Sequence, residues 1–258
     1  MTYVVVMLLA AVVALGALLG RNSARLSRTE RNLDGAQERL RGLELSFRRF
    51  APPEVVEAVA ELGIHATTNR REVTVLFADL KGFTALSETL DPSELVDLLN
   101  GWLAAMDGAI AAHHGRVSKF MGDGVLALFG AMHTNPWQAR DAVNAALAMR
   151  DALTRYNAAH GHLPLAMGVG IHRGEVVAGV MGSERLREFT VIGDVVNTAA
   201  RVESLTRRFG VDILVTGAVN TALDGSFDVE EMPAAEVKGK ADSLVTWAVR
   251  GRCAPGPG

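Results

Sequence analysis

The chain of 258 residues has one cysteine, Cys253, so it can build neither a disulfide framework nor a cysteine-rich metal site. Lysine is nearly as scarce: only Lys81, Lys119, Lys238 and Lys240 among 26 cationic residues, the others being arginine. A compact ammonium and a planar guanidinium fork suit different sites, so these four exceptions mark positions worth following. No GxxxxGK[ST] loop and no HExxH helix occurs, and in GVGIHRG Arg173 stands where a dinucleotide fingerprint needs its third glycine. P-loop, zincin and Rossmann chemistries are thereby set aside. A large excess of one charge is missing as well. With 26 basic and 29 acidic side chains the net charge is −3, which implies no nucleic-acid partner. No unit of 20–50 residues repeats.

What charge there is falls unevenly. Residues 1–50 hold eight Arg and four acids, net +4, and the remainder carries net −7. Residues 3–20 (YVVVMLLAAVVALGALLG) contain no charge, and as a helix they would reach about 27 Å, enough for a thin hydrocarbon core. A cleaved signal peptide would carry a basic residue ahead of the apolar run, and Met1-Thr2 offers none. The run therefore predicts a transmembrane anchor over 1–20. Arg21, Arg25 and Arg28 follow it, so the positive-inside rule predicts a single-pass protein of the cell inner or plasma membrane with its bulk in the cytoplasm. Gly16 and Gly20 form a GxxxG pair that suits close helix approach.

Leu26, Leu33, Leu40 and Phe47 recur every seven residues, with Thr29, Ala36, Leu43 and Phe50 three positions after each. These a and d positions predict a short parallel coiled coil as a connector over 21–50. Pro52-Pro53 ends it and opens an amphipathic linker helix within 51–69. A folded domain over 70–250 and a flexible tail over 251–258 complete the expected organisation.

Within that domain the apolar pattern alternates between strand and helix lengths. Strands are expected at 73–78, at 116–121 and 125–129 around Gly122-Asp123-Gly124, at 163–172 and 175–181 around an Arg173-Gly174 turn, and at 189–192, 213–216, 227–237 and 244–249. Helices are expected at 92–113, 136–160 and 197–209. The fold class is α+β, a ferredoxin-like βαββαβ core with extra strands and a largely antiparallel sheet.

Two carboxylates stand out. Asp79 closes the first strand in FADLKGFT, and Asp123 sits in the hairpin KFMGDGVLALFG. Alone, one reads as a helix cap and the other as an ordinary Asp-Gly turn. If the first strand and the hairpin are sheet neighbours, both reach one edge. Oxygen donors without His or Cys suit Mg²⁺ or Mn²⁺, which keep phosphate oxygens in their shell. Gly82-Phe83-Thr84 open a turn whose backbone N–H groups could hold phosphate. In EFTVIGDVVNTAARVE, Asn197 and Arg201 lie at i, i+4 on one helix face, an amide beside a guanidinium for a developing phosphoryl charge. His113-His114, next to Gly115, read as surface imidazoles at a helix end rather than ligands.

FADLKGFT, KFMGDGVLALFG, TVIGDVVNTAARVE and VKGKAD, in this order across residues 70–250, resemble the class III nucleotidyl cyclases. The resemblance implies the nucleotide cyclase fold and attack of a ribose 3′-hydroxyl on the α-phosphate, releasing pyrophosphate. It implies two Mg²⁺ or Mn²⁺ ions per site on Asp79, Asp123 and the Leu80 carbonyl. Asn197 would orient the ribose and Arg201 stabilise the transition state. Lys240, or less favourably Lys238, would hold the terminal phosphates. Lys119 stands at the base-reading position that is lysine in adenylyl and usually glutamate in guanylyl enzymes, with Thr190 at the partner position. Together they imply ATP as substrate and 3′,5′-cyclic AMP as product. All these roles are filled in one chain, while the family divides them between subunits, so a homodimer with shared active sites is implied. A GTP-preferring cyclase and a catalytically silent cyclase-like module are the alternatives.

Overall fold

The computed structural model describes residues 33–42, 69–160, 164–183, 187–236 and 243–253. The expected anchor over 1–20, most of the connector and linker helix, the candidate phosphate contacts Lys238 and Lys240, and the end of the tail lie outside the described residues. Residues 33–42 are helical, and their heptad residues Leu33 and Leu40 are exposed. They belong to a separate compact unit from the domain that follows. The expected membrane placement is corrected here: among the described residues, no helix is long and apolar enough to cross a membrane.

The domain runs β1 (Asn69–Leu80), α1 (Phe83–Ser87), α2 (Pro92–Ala111), β2 (Arg116–Met121), β3 (Gly124–Phe129), α3 (Gln138–Ala159), β4 (Met167–Gly182), β5 (Arg187–Ile192), α4 (Asp194–Phe209), β6 (Ile213–Thr216), α5 (Gly217–Asn220), β7 (Phe227–Glu231) and β8 (Thr246–Arg252). The sheet order is β2-β3-β1-β4-β6-β8-β7, with β5 pairing β4 to one side. Pairs are antiparallel apart from β4 with β6. β1-α2-β2-β3-α3-β4 make the expected βαββαβ core, and the later strands extend it beyond β4.

Alternation along β1 sorts the layers, since neighbouring side chains point to opposite faces. Leu76, Ala78 and Leu80 face one core with Trp102, Met106 and Ile110 of α2 and Ala142, Ala146 and Met149 of α3. Val73 and Val75 face the other, with Val195 and Ala199 of α4. α4 thus covers the sheet face opposite α2 and α3. Its apolar stripe is short of bulk, and the sheet compensates with glycine. A β-carbon on Gly170 would collide with the Glu203 backbone nitrogen and the Ala199 carbonyl, so α4 lies with its backbone almost on β4. The GVG of GVGIHRG is therefore a helix seat.

β4 departs from expectation. It is one strand of 16 residues, with no turn at Arg173-Gly174. Arg173 pairs with Thr74 and Gly174 with Val73, in register along the whole of β1. Gly174 is present because a β-carbon there would stand 2.8 Å from Val195 Cγ2, where α4 begins. Helix packing explains this glycine, which in sequence looks like a turn signal.

Candidate active site

β1 and β3 are neighbours, with Ala78 opposite Val125. Asp79 on β1 therefore ends beside the two-residue turn Gly122-Asp123 that joins β2 to β3. Gly122 supplies the left-handed conformation (φ 66°). The indole of Trp102 donates from Nε1 to the Asp123 carbonyl at 3.1 Å and fixes the turn from below. The two carboxyl groups lie close enough for the charge of one to act on the other. Burial, and then the charge of Asp79, hold the Asp123 carboxyl above its usual range. Two facing carboxylates with only oxygen donors nearby form a set that a hard divalent cation would relieve, so the residues fit Mg²⁺ or Mn²⁺. Among the described residues no group of three or more His, Cys, Asp or Glu gathers, so phosphate or backbone oxygens must complete any shell.

A cation already stands there. Arg207 Nη2 donates to Asp79 Oδ2 at 2.7 Å and to the Leu80 carbonyl at 3.3 Å. The bond to Asp79 pushes the guanidinium pKa up. Arg207 Nη1 lies 3.4 Å from Glu203, one turn earlier on α4. Glu203 is buried against Gly168, and burial raises its pKa to about 7, with Arg207 pulling the other way. Neither residue stands out in the sequence, because a Glu and an Arg at i, i+4 look like an ordinary solvated helix pair. The available signal was Gly168 and Gly170 facing that helix.

An acid whose folded pKa lies above its unfolded value stabilises the fold least once it is ionised. For Glu203 the penalty is absent below pH 4.5 and grows as pH rises to about 7, to roughly 3 kcal/mol. Glu203→Gln should therefore raise the thermal midpoint at pH 8 and leave it nearly unchanged at pH 4.5. Equal shifts at both pH values would contradict this.

The remaining candidates are spread over the domain. Gly82 is left-handed (φ 77°), and α1 begins at Phe83, which packs on the core while Thr84 is exposed. Lys81 is a tether: its Nζ donates to the Val211 carbonyl at 2.9 Å and meets Asp212 at 3.3 Å, tying the turn after Asp79 to the end of α4. Asn197 is exposed near the start of α4. Arg201 lies one turn on, its Nη1 buried without a hydrogen bond and 3.7 Å from Asp194. Arg207, which touches Asp79, lies ten residues beyond Asn197, about 15 Å along the helix axis. Lys119 lies on edge strand β2 opposite Leu126, and Thr190 on β5 opposite Gly179. His113 and His114 are at the end of α2, where His114 reaches Asp141 at 3.4 Å.

The sequence pattern of the adenylate and guanylate cyclase catalytic domain matches residues 66–251. The chain belongs to this cyclase family. It is 36% identical over 219 residues to an adenylate cyclase of Anabaena cylindrica, covering 80% of this chain and 43% of that one. It thus spans under half the length of that curated relative. The guanylyl cyclase Cya2 crystal structure matches with TM-score 0.68 and 36% identity, over 73% of this chain and 96% of that chain. The adenylyl cyclase CyaB from P. aeruginosa matches with TM-score 0.66 and 30% identity, over 71% and 95%. The βαββαβ sheet with α4 across it is thus the cyclase catalytic fold, and the family chemistry is that of a nucleotide cyclase, a phosphorus–oxygen lyase.

Proposed function

We propose that this cyclase domain is an adenylate cyclase that converts ATP to 3′,5′-cyclic AMP and pyrophosphate as a homodimer with two shared sites. The observation that carries the reading is the meeting of Asp79 and Asp123 at one sheet edge, with Asn197 and Arg201 displaced along α4. Arg201 stands six residues from Arg207, about 9 Å of helix rise, and Asn197 about 15 Å. A compact site in one chain would have them adjacent. Two chains related by a twofold axis bring the carboxylates of one to the α4 face of the other, twice.

Asp79, Asp123 and the Leu80 carbonyl would hold two Mg²⁺ or Mn²⁺ ions, which lower the pKa of a hydroxyl and neutralise phosphate oxygens. Asn197 of the partner subunit orients the ribose, and Arg201 of the partner subunit donates to the charge that grows on the α-phosphoryl oxygens. The backbone N–H groups of Gly82, Phe83 and Thr84 hold phosphate beside the carboxylates. Lys240 takes the terminal phosphates, with Lys238 as its neighbour in VKGK. Lys119 donates to adenine N1 and the Thr190 hydroxyl accepts from the 6-amino group. Leu33, Ala36 and Leu40 of the 33–42 helix offer a seam through which the same two chains would pair.

A GTP-preferring enzyme is the second reading, because the guanylyl cyclase Cya2 matches at the same 36% identity as the Anabaena adenylate cyclase. The two readings separate on base contacts. A glutamate at 119 accepts from guanine N1–H and repels the acceptor N1 of adenine. Lys119→Glu combined with Thr190→Cys should lower the ATP-over-GTP preference by about a hundredfold. Rates on both nucleotides check this. An unchanged preference, or a wild type that already favours GTP, would reject the ATP assignment.

A further inference from the structure

Arg207 fills the place where a cation is needed. Its Nη2 is 2.7 Å from Asp79 Oδ2 and 3.3 Å from the Leu80 carbonyl, so it touches two of the three protein groups assigned above to the divalent ions. Its Nη1 is 3.4 Å from Glu203, a buried carboxyl with Oε1 in no hydrogen bond. The guanidinium therefore bridges two anionic positions and already touches both. Its side chain is 43% exposed, in the last turn of α4, so water borders it and leaves room for another position.

A magnesium ion needs its oxygens at about 2.0–2.1 Å in near-octahedral array. A guanidinium hydrogen-bonded to the same Oδ2 and carbonyl blocks those approaches and repels the incoming charge. We infer that Arg207 is a built-in placeholder of the metal site, competing with the divalent ion for Asp79 and the Leu80 carbonyl and passing to Glu203 when the ion enters. Glu203 gives the displaced guanidinium a preformed partner, so displacement costs less than release into solvent would. The fork geometry matters: a single ammonium cannot span Asp79, the Leu80 carbonyl and Glu203 together. A ligand that binds only the displaced state is weakened in proportion to the population of the occupied one.

This inference rests on the proposed metal role of Asp79, and the test separates the two. The full chain, without nucleotide, is titrated with Mn²⁺ while free Mn²⁺ is read by electron paramagnetic resonance. Arg207→Gln should tighten Mn²⁺ binding about tenfold, and Arg207→Lys should fall between it and wild type. Arg208→Gln removes the same charge one residue away and should stay within twofold of wild type. Asp79→Asn should lose the binding. A wild type too weak to measure beside an Arg207→Gln protein that binds would support the inference equally. Unchanged or weaker binding by Arg207→Gln overturns the placeholder and leaves the metal site standing. Equal tightening by Arg208→Gln also overturns it, since the effect would then be one of general field. No Mn²⁺ binding in any of the proteins, or binding that survives Asp79→Asn, overturns the metal reading itself.

Discussion

Asp79→Asn should reduce cyclic nucleotide formation by at least about a thousandfold, a barrier increase of about 4 kcal/mol, while the domain stays folded. Asparagine keeps the size of the side chain and an oxygen that accepts from Arg207 Nη2. It lacks the negative charge that makes the Asp79–Asp123 pair a cation site. The Asp79–Arg207 ion pair is part-exposed, so its loss should cost at most about 1 kcal/mol of stability. Assay of the purified variant beside its thermal midpoint checks both halves. Activity within tenfold of wild type would mean that Asp79 carries no cation essential to the reaction.

Mixing two dead chains should restore part of the activity. Asn197→Ala removes the ribose contact near the start of α4, and Asp79→Asn removes the metal carboxylate on β1, which meets the last turn of that helix through Arg207. If each active site takes its carboxylates from one subunit and its Asn197 and Arg201 from the other, a mixed dimer contains one site with both defects and one with neither. Random pairing makes about half of all dimers mixed, each with half its sites intact, so about a quarter of wild-type activity should return. Differently tagged chains, co-purified to establish that the mixed dimer forms, give the measurement. Mixed dimers without recovery would place all the catalytic groups within one chain.

Much of this arrangement can be read from residue spacing, and the parts that cannot have definable causes. The βαββαβ order is visible because strand and helix lengths alternate and Gly122-Asp123-Gly124 marks a tight hairpin. The adjacency of Asp79 and Asp123 then follows from β1 lying next to β3. The sequence of β4 reads as two strands because Gly174 looks like punctuation, whereas in the fold it makes room for Val195 of α4. Such close approaches are invisible until the helix is in place. Glu203 and Arg207 escaped for a related reason. Charge at i, i+4 normally marks the solvated face of a helix, and only the glycine seat beneath α4 turns Glu203 inward.

The four lysines show both outcomes. Lys119 keeps its expected place on β2 near the hairpin, but Lys81 is occupied in holding the Val211 carbonyl and Asp212. That bond ties the turn after Leu80 to the residues just after α4, so Lys81 supports the candidate site mechanically. Lys238 and Lys240 fall outside the described residues. The long apolar run at the N-terminus was legible as composition, yet no described helix is long and apolar enough to cross a membrane.

The most direct test of the account is product formation by the purified full chain, at concentrations that favour the dimer, with Mn²⁺ and either ATP or GTP. Mass spectrometry of the products should show 3′,5′-cyclic AMP and pyrophosphate from ATP, with much less cyclic GMP from GTP. No cyclic nucleotide from either substrate, or cyclic GMP as the dominant product, would contradict it.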